Sequence, residues 1–418
     1  MSPVFKNIFS YLFSSVFSAA IPFALLPILT RYLTPGEYGQ IAMFSLLISA
    51  LSALIGLSVH GASSRRFFEL NVSENELARF NGNCVFILLV STIATSITLY
   101  FSNDYLARYL SIPNYWVYFG VLTAFSSFLL NIRFVQWQIR GKTKAYGALQ
   151  ISNSILNVFL SLVFIILFNL GPEGRIYGIS ITSLLVLLVS FFLLRIDNLL
   201  IFEYNKKDVK YALEFGIPLV PHLLGGFLLL SIDRLVINKE LGVEATGIYM
   251  VAVNLGLVVN VILSSVNKAY SPWLFSELNK NELSQKKKVV KISYLYFVFL
   301  LFFSALSFII GPTILKFIVG EKFHSVADIV PIIILGQVFL GMYFIVTNYI
   351  FYAKKNKYLS MITISSGVLN IVLLVWLIPY LGIKGAAISF MIANLFQFVG
   401  TWIVSAKVFS MPWAVWKM

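Results

Sequence analysis

The arrangement of charge along the chain constrains its fold more than any other feature. Asp, Glu, Lys and Arg leave twelve uninterrupted runs of eighteen or more residues: 7–30, 38–64, 80–103, 109–132, 145–172, 176–194, 215–232, 245–267, 292–315, 329–353, 358–383 and 385–406. Each is close to the ~20 residues that cross a hydrocarbon core of about 30 Å. In lipid every backbone donor and acceptor must be satisfied within the protein, so only helices and closed barrels span. Barrel strands need about ten residues of strict alternation, which these runs lack. The sequence therefore predicts an all-α integral membrane protein with twelve transmembrane helices. Its composition, 59% hydrophobic and 11% charged over 418 residues, excludes a disordered chain and an ordinary soluble enzyme.

An even number of spans puts both termini on one side, and the excess of Lys and Arg identifies that side. With the N-terminus inside, the inner segments hold 23 of the 31 basic residues, so both termini are expected in the cytoplasm. Nine of the 17 acids fall on the same side, which places the whole formal charge of +14 there. The basicity is thus a topology signal. Nucleic-acid binding would need these charges on one face interleaved with exposed aromatics, and the aromatics lie in the spans instead. The opening segment, with Lys6, the apolar stretch Ile8 to Ser18 and small Ala19 and Ala20, resembles a signal peptide, but its run continues to Thr30 and is read as an uncleaved span.

The chain also repeats itself. At an offset of 208, Leu33 falls on Leu241, Gly39 on Gly247, Ser63 on Ser271, Phe67 on Phe275 and Glu69 on Glu277, and Leu70, Asn71 and Glu74 fall on Leu278, Asn279 and Glu282. A second match aligns Tyr146 with Tyr358, Leu156 and Asn157 with Leu369 and Asn370, and Gly178 with Gly385. Six spans repeat as six, in parallel, because six is even. Two repeated six-helix bundles are expected, residues 1–200 and 201–418, divided by the charged connection from Arg195 to Lys210.

Polar residues form stripes in register between the halves. Ser45, Ser49, Ser52, Gly56, His60 and Ser63 share one face of the second span, as Gly256, Asn260, Ser264, Asn267, Lys268 and Ser271 do in the eighth. The first span carries Ser10, Ser14, Ser18 and Pro22, and the seventh Pro218, His222 and Gly226. Small residues at this spacing also serve as helix-packing seams. His60, His222, Asn260, Asn267 and Lys268 go further and suggest a wall of a water-filled cavity. Pro22, Pro27, Pro218 and Pro221 bend helices, whether for a pocket, a gate or packing. Arg65, Arg66, Arg133, Arg140 and Lys268 stand where spans meet the cytoplasm, suited to snorkelling or to bidentate capture of phosphate.

No acidic residue lies in the middle of a span, Glu214 and Asp233 coming closest, so an intramembrane carboxylate for proton or sodium coupling has no carrier. Cys84 has no Cys or His companion at ligand spacing; no metal, cofactor, nucleotide-binding loop or catalytic constellation is expected.

The segment LPILTRYLTPGEYGQIAMF from Leu26, its counterpart SIDRLVINKELGVEATGIYMVA from Ser231, YSPWLF at Tyr270 to Phe275 and GIKGAAIS at Gly382 to Ser389 together resemble the polysaccharide transporters, O-antigen flippases of the Wzx type, in the multidrug/oligosaccharidyl-lipid/polysaccharide exporter superfamily. The resemblance implies a V-shaped, MATE-like pair of bundles with a cationic cavity. It implies transfer of undecaprenyl-pyrophosphate-linked oligosaccharide to the periplasmic face of the bacterial inner membrane, with membrane lipids, a polysaccharide polymerase and a chain-length regulator as partners. On that reading Arg65, Arg66 and Lys268 attract the pyrophosphate, and His60, His222, Asn260 and Asn267 line the sugar path. The alternatives are a cation-coupled multidrug exporter, which calls for an acidic residue in a span, and a membrane glycosyltransferase or polymerase, which calls for a large catalytic loop. A lipid II flippase would be expected to have fourteen spans and an Arg-Asp pair in its first helix.

Overall fold

The computed structural model describes residues 21, 23–69, 72–280, 282–353 and 355–413, with backbone alone at 222, 226, 228–230 and 356. Lys6, Ser10, Ser14, Ser18, Ala19, Ala20, Pro22, Leu70, Asn71, Lys354, Lys417 and the side chain of His222 lie outside the described residues. Every regular element among the described residues is helical. In order they are α1 (Phe23–Tyr32), α2 (Pro35–Leu54), α3 (His60–Phe67), α4 (Glu74–Leu110), α5 (Trp116–Ile139), α6 (Thr143–Leu162) continued by a π-helical turn (Val163–Leu167), and α7 (Gly171–Ile196). There follow α8 (Lys206–Gly216), α9 (Leu219–Asn279), α10 (Leu283–Ile318), a 3-10 turn (Glu321–Asp328), α11 (Val330–Tyr352), α12 (Asn356–Leu381) and α13 (Ile383–Val408).

Ten of the described helices are long and apolar enough to cross a membrane. The 61 residues of α9 would measure roughly 90 Å at ~1.5 Å per residue, three hydrocarbon cores. Gly242, at φ 88 and ψ 174, divides it into 219–241 and 243–279. Only glycine adopts that backbone without strain. Runs 7–30 and 215–232 fall partly on residues outside the description, so twelve spans and cytoplasmic termini remain expectations.

Helix starts follow their local chemistry. Thr34 accepts from the Glu37 amide (3.3 Å) while Glu37 Oε2 accepts from the Thr34 amide (2.7 Å), with Pro35 at the first helical position. Ser73 and Glu76 repeat the device at α4, and Asn205 caps α8. Such reciprocal bonds satisfy donors that the first turn would otherwise strand.

The chain divides into two compact units, residues 1–235 and 236–418. In the first, α5 is the inner helix, packed on α2, α3, α4 and α7 through Trp116, Gly120, Ala124, Phe128 and Ile132. In the second, α11 is the inner helix, packed on α10 and α13 through Ile333, Gly336, Val338, Met342 and Ile345. Close approach by small residues is what brings helices together in lipid. A Cβ on Gly178 would lie 2.7 Å from the Ser161 amide nitrogen, and one on Gly385 2.6 Å from the Leu377 carbonyl oxygen. These two glycines are paired in the sequence repeat, and they bring α7 against α6 and α13 against α12.

The connection from Arg195 to Lys210, read from the sequence as the divide, packs on the first unit. Asn81 Nδ2 donates to the Leu199 carbonyl (3.0 Å), the Ile201 amide to Ala78 (3.1 Å), and Asn83 exchanges bonds with the Glu203 carbonyl (2.9 Å) and the Asn205 amide (3.0 Å). Arg79 Nε then pairs with Asp208 Oδ2 at 3.0 Å and fastens α8 to α4. The contacts thus carry the first unit through Leu235.

Candidate functional site

The span over 38–64 is broken. Helix α2 ends at Leu54, and Gly56, Leu57 and Ser58 follow with φ of 79°, 48° and 57° before α3 starts at His60. Left-handed backbone costs non-glycine residues about 1–2 kcal/mol each, so neighbours must hold the turn. Ser91 Oγ accepts from the Gly56 amide at 2.8 Å, and the Phe128 ring occupies the space a Cβ at Gly56 would need, 2.1 Å away. His60 stacks edge-on against Phe128 with centroids 5.5 Å apart. Its Nδ1 and the Ser58 hydroxyl are buried without a hydrogen-bond partner among the described residues.

The break sets the direction of α3, whose last turn carries Arg65 and Arg66, where the helix dipole favours cations. Both guanidinium groups lie over the Tyr211 ring of α8, at 5.7 and 5.5 Å. Arg66 Nη1 pairs with Glu69 Oε2 at 2.5 Å, and the Tyr211 hydroxyl donates to Glu69 Oε1 at 2.5 Å. The Tyr211 hydrogen bond, aided by Arg66 and opposed by desolvation, holds the Glu69 carboxyl below its ordinary range. Arg65 is exposed and has no carboxylate within 4 Å among the described residues. One of the two adjacent arginines is therefore neutralised and the other is available.

Arg133 and Arg140 have different surroundings. Arg133 is 2% exposed, pairs with Asp197 at 2.5 Å and stacks over Trp137 at 4.1 Å. Arg140 bonds Glu74 and Gln136 and covers the Phe67 ring at 5.0 Å. Both fasten helix ends and neither offers a free guanidinium to solution. Between them Gln136 Nε2 donates to Ser63 Oγ (2.7 Å), which donates to Asn81 Oδ1 (2.6 Å). Ser63, at one end of the second-span stripe, is thus a buried seam. Ser45, Ser49 and Ser52 are exposed on α2, their hydroxyls donating to carbonyls four residues back.

In the second unit the stripe runs along residues 243–279 of α9. Asn260 Nδ2 donates to Gln337 Oε1 at 3.0 Å, and Asn348 Nδ2 donates to Asn267 Oδ1 at 2.8 Å. Gln337 and Asn348 belong to α11 and are buried. Asn260 and Asn267 are half-exposed, and among the described residues the Asn260 Oδ1 acceptor and the Asn267 Nδ2 donor have no partner. Lys268 is exposed and forms no ion pair among the described residues. His222 lies on α9, its side chain outside the description.

Sequence reasoning missed Ser91, Asn81, Gln136, Gln337 and Asn348. Ser91, Asn81, Gln337 and Asn348 lie in charge-free runs and Gln136 just beyond one, between Arg133 and Arg140; the signal of each was an amide or hydroxyl among apolar neighbours. Among the described candidate site residues, Arg65 offers a guanidinium and Lys268 an ammonium without an ion pair, and the α9 amides add hydrogen-bonding edges. Such groups bind phosphate and sugar hydroxyls without performing covalent chemistry.

A chain of long apolar helices built around two polar-centred inner helices is a multi-pass membrane protein of transporter architecture. The family model described as polysaccharide biosynthesis protein matches residues 4–278, and the chain belongs to that family. The Lsg locus putative protein 1 of Haemophilus influenzae is 27% identical, over 92% of this chain and 95% of its own. Among solved structures, lipid II flippase MurJ in an inward closed conformation is similar at TM-score 0.74 and 14% identity, covering 96% of this chain and 87% of that one. An inward-facing multidrug resistance MATE family transporter of the MOP superfamily gives TM-score 0.69 at 15% identity, with 97% and 96% coverage. At these identities the likeness is one of fold.

Proposed function

We propose that the chain is a non-enzymatic flippase. It moves undecaprenyl-pyrophosphate-linked oligosaccharide repeat units, of O-antigen or a similar surface polysaccharide, from the cytoplasmic to the periplasmic face of a bacterial inner membrane. Membership of a polysaccharide biosynthesis family supports a saccharide-bearing substrate, and the fold shared with a lipid II flippase supports passage of a lipid-linked sugar. The observation that carries the site assignment is the free guanidinium of Arg65, held beside the paired Arg66 on a helix that a left-handed turn redirects.

In this reading Arg65, assisted by Arg66, and Lys268 attract the pyrophosphate. His60, His222, Asn260 and Asn267 line the path of the sugars, the two amides through the edges that Gln337 and Asn348 leave open. Alternating access follows from rocking of the repeated halves, 1–200 and 201–418, with both termini cytoplasmic. The glycan crosses while the prenyl chain stays in the bilayer, and a polymerase and a chain-length regulator take the product onward.

The test is surface polysaccharide display in a strain dependent on this chain. Arg65→Ala/Arg66→Ala and Lys268→Ala are expected to reduce display at least tenfold at normal membrane abundance, whereas Lys239→Ala leaves it unchanged. Full display by both variants would remove the site assignment. Failure of the intact chain to restore display would remove the flippase reading itself.

A further inference from the structure

The surface of the first unit carries an apolar trough of about 460 Å³ beside the broken span. Leu54 of α2, Phe86, Val90 and Ala94 of α4, and Leu213 with Ile217 at the end of α8 form its walls. That volume falls within the ~300–1,000 Å³ typical of small-ligand sites. From Phe86 to Thr95 the trough follows α4 for roughly 13 Å at ~1.5 Å per residue. One leaflet of a ~30 Å hydrocarbon core is about 15 Å deep. The trough therefore has the length of a lipid chain within one leaflet.

Its chemistry is graded along that length. Val209, Leu213 and Ile217 also border a second hollow, of about 580 Å³, that adds Lys206, Lys210 and Glu214. The lysine end lies near the start of α4, since Arg79 bonds Asp208 at 3.0 Å and Asn83 bonds Asn205 at 3.0 Å. Arg79 occupies Asp208. Glu214 meets Lys210 at 3.7 Å, but both are well exposed and such a pair is weak. Lys206 and Lys207 have no ion pair among the described residues. A cationic rim thus stands at the end of an apolar trough one leaflet long.

We propose that this trough holds an acyl chain of an anionic phospholipid, with the lipid phosphate between Lys206 and Lys210. A basic residue near an anionic lipid surface contributes about 1 kcal/mol, roughly fivefold in affinity. The site would tie a lipid to α8, the helix that carries Tyr211 beneath Arg65 and Arg66.

The experiment is native mass spectrometry of the full chain in detergent, titrated separately with phosphatidylglycerol and with phosphatidylcholine of the same chains. The wild type is expected to retain one phosphatidylglycerol at about tenfold lower concentration than phosphatidylcholine. In Lys206→Gln/Lys207→Gln/Lys210→Gln, whose lysines are exposed, that preference is expected to vanish while phosphatidylcholine retention and the thermal midpoint hold. Ala94→Trp, at an exposed position in the trough, is expected to lower retention of both lipids about tenfold. Equal retention of the two lipids by the wild type, or an undiminished preference in the lysine variant, would overturn the proposal. So would displacement of phosphatidylglycerol by undecaprenyl phosphate at equal concentration, which would make the occupant a prenyl carrier.

Discussion

The stripe spans of the two units are repeat mates, yet one is broken and the other is continuous at the same register. Gly56, Leu57 and Ser58 are left-handed, whereas Ser264, which aligns with Gly56, sits in regular helix with its hydroxyl on the Val261 carbonyl at 3.0 Å. Around them the units are fastened by a different balance of chemistry. The first uses ion pairs at its helix ends, Arg133 with Asp197, Arg79 with Asp208 and Arg140 with Glu74. The second uses the amide pairs Asn260–Gln337 and Asn267–Asn348, together with an aromatic cluster in which Trp413 meets Tyr294, Tyr349 and Trp402. The same repeat can therefore hold a polar face open in one half and bond it to a neighbouring helix in the other.

The largest expected effect lies in the ionic unit. Arg133→Ala strands Asp197 with only Lys142, 3.7 Å away, and is expected to cost about 3 kcal/mol in detergent-solubilised thermal or denaturant unfolding. Arg133→Met with Asp197→Asn is expected to recover much of that loss, because two buried Arg133 nitrogens, Nε and Nη1, have no hydrogen-bond partner among the described residues. The pair fixes a pH dependence. Burial alone would raise the Asp197 carboxyl, but Arg133 and Lys142 outweigh it and hold it below the ordinary 3.8. Its contribution is complete above that value and is lost as the pH falls through the lower folded one. The Asp197→Asn variant should lack this acid-side component.

Next comes the break itself. Gly56→Ala forces a side chain into left-handed backbone and against Phe128, for an expected cost of about 2–3 kcal/mol. At the equivalent helical position Ser264→Ala is expected to stay within ~0.5 kcal/mol. Similar losses at both positions would show that the break is not a distinct structure. Ser91→Ala, which leaves the buried Gly56 amide without its acceptor, is expected to cost about 1–2 kcal/mol.

The span pattern was legible because charge is excluded from lipid, and the runs over 80–103, 329–353 and 385–406 became α4, α11 and α13. The break was not legible. Gly56-Leu57-Ser58 lies inside a charge-free run, and its conformation depends on Ser91 and Phe128, 35 and 72 residues beyond Gly56. Stripe spacing likewise identifies a helical face but not its partner. Ser63 and Ser52 share the sequence stripe, yet one is bonded to Asn81 and the other is exposed. Of the arginines that seemed equivalent at helix ends, Asp197 claims Arg133 from 64 residues away, a pairing that only the packing of α5 on α7 creates.

The smallest effect belongs to the amide unit. Gln337→Leu is expected to cost only ~0.6 kcal/mol, in line with interhelical hydrogen bonds in membranes. If Asn260 serves the sugar path, that change should alter transport more than stability, because it releases the Asn260 amide from its fixed orientation.

The central claim is tested most directly with the purified chain in liposomes containing undecaprenyl-pyrophosphate-linked oligosaccharide in both leaflets. The readout is the share of glycan that a membrane-impermeant glycosidase reaches from outside. This share is expected to rise from the outer leaflet's portion to nearly all of the glycan, and Arg65→Ala/Arg66→Ala is expected to return it toward that of protein-free liposomes. A share equal to that of protein-free liposomes with the intact chain, at verified incorporation and folding, would contradict it.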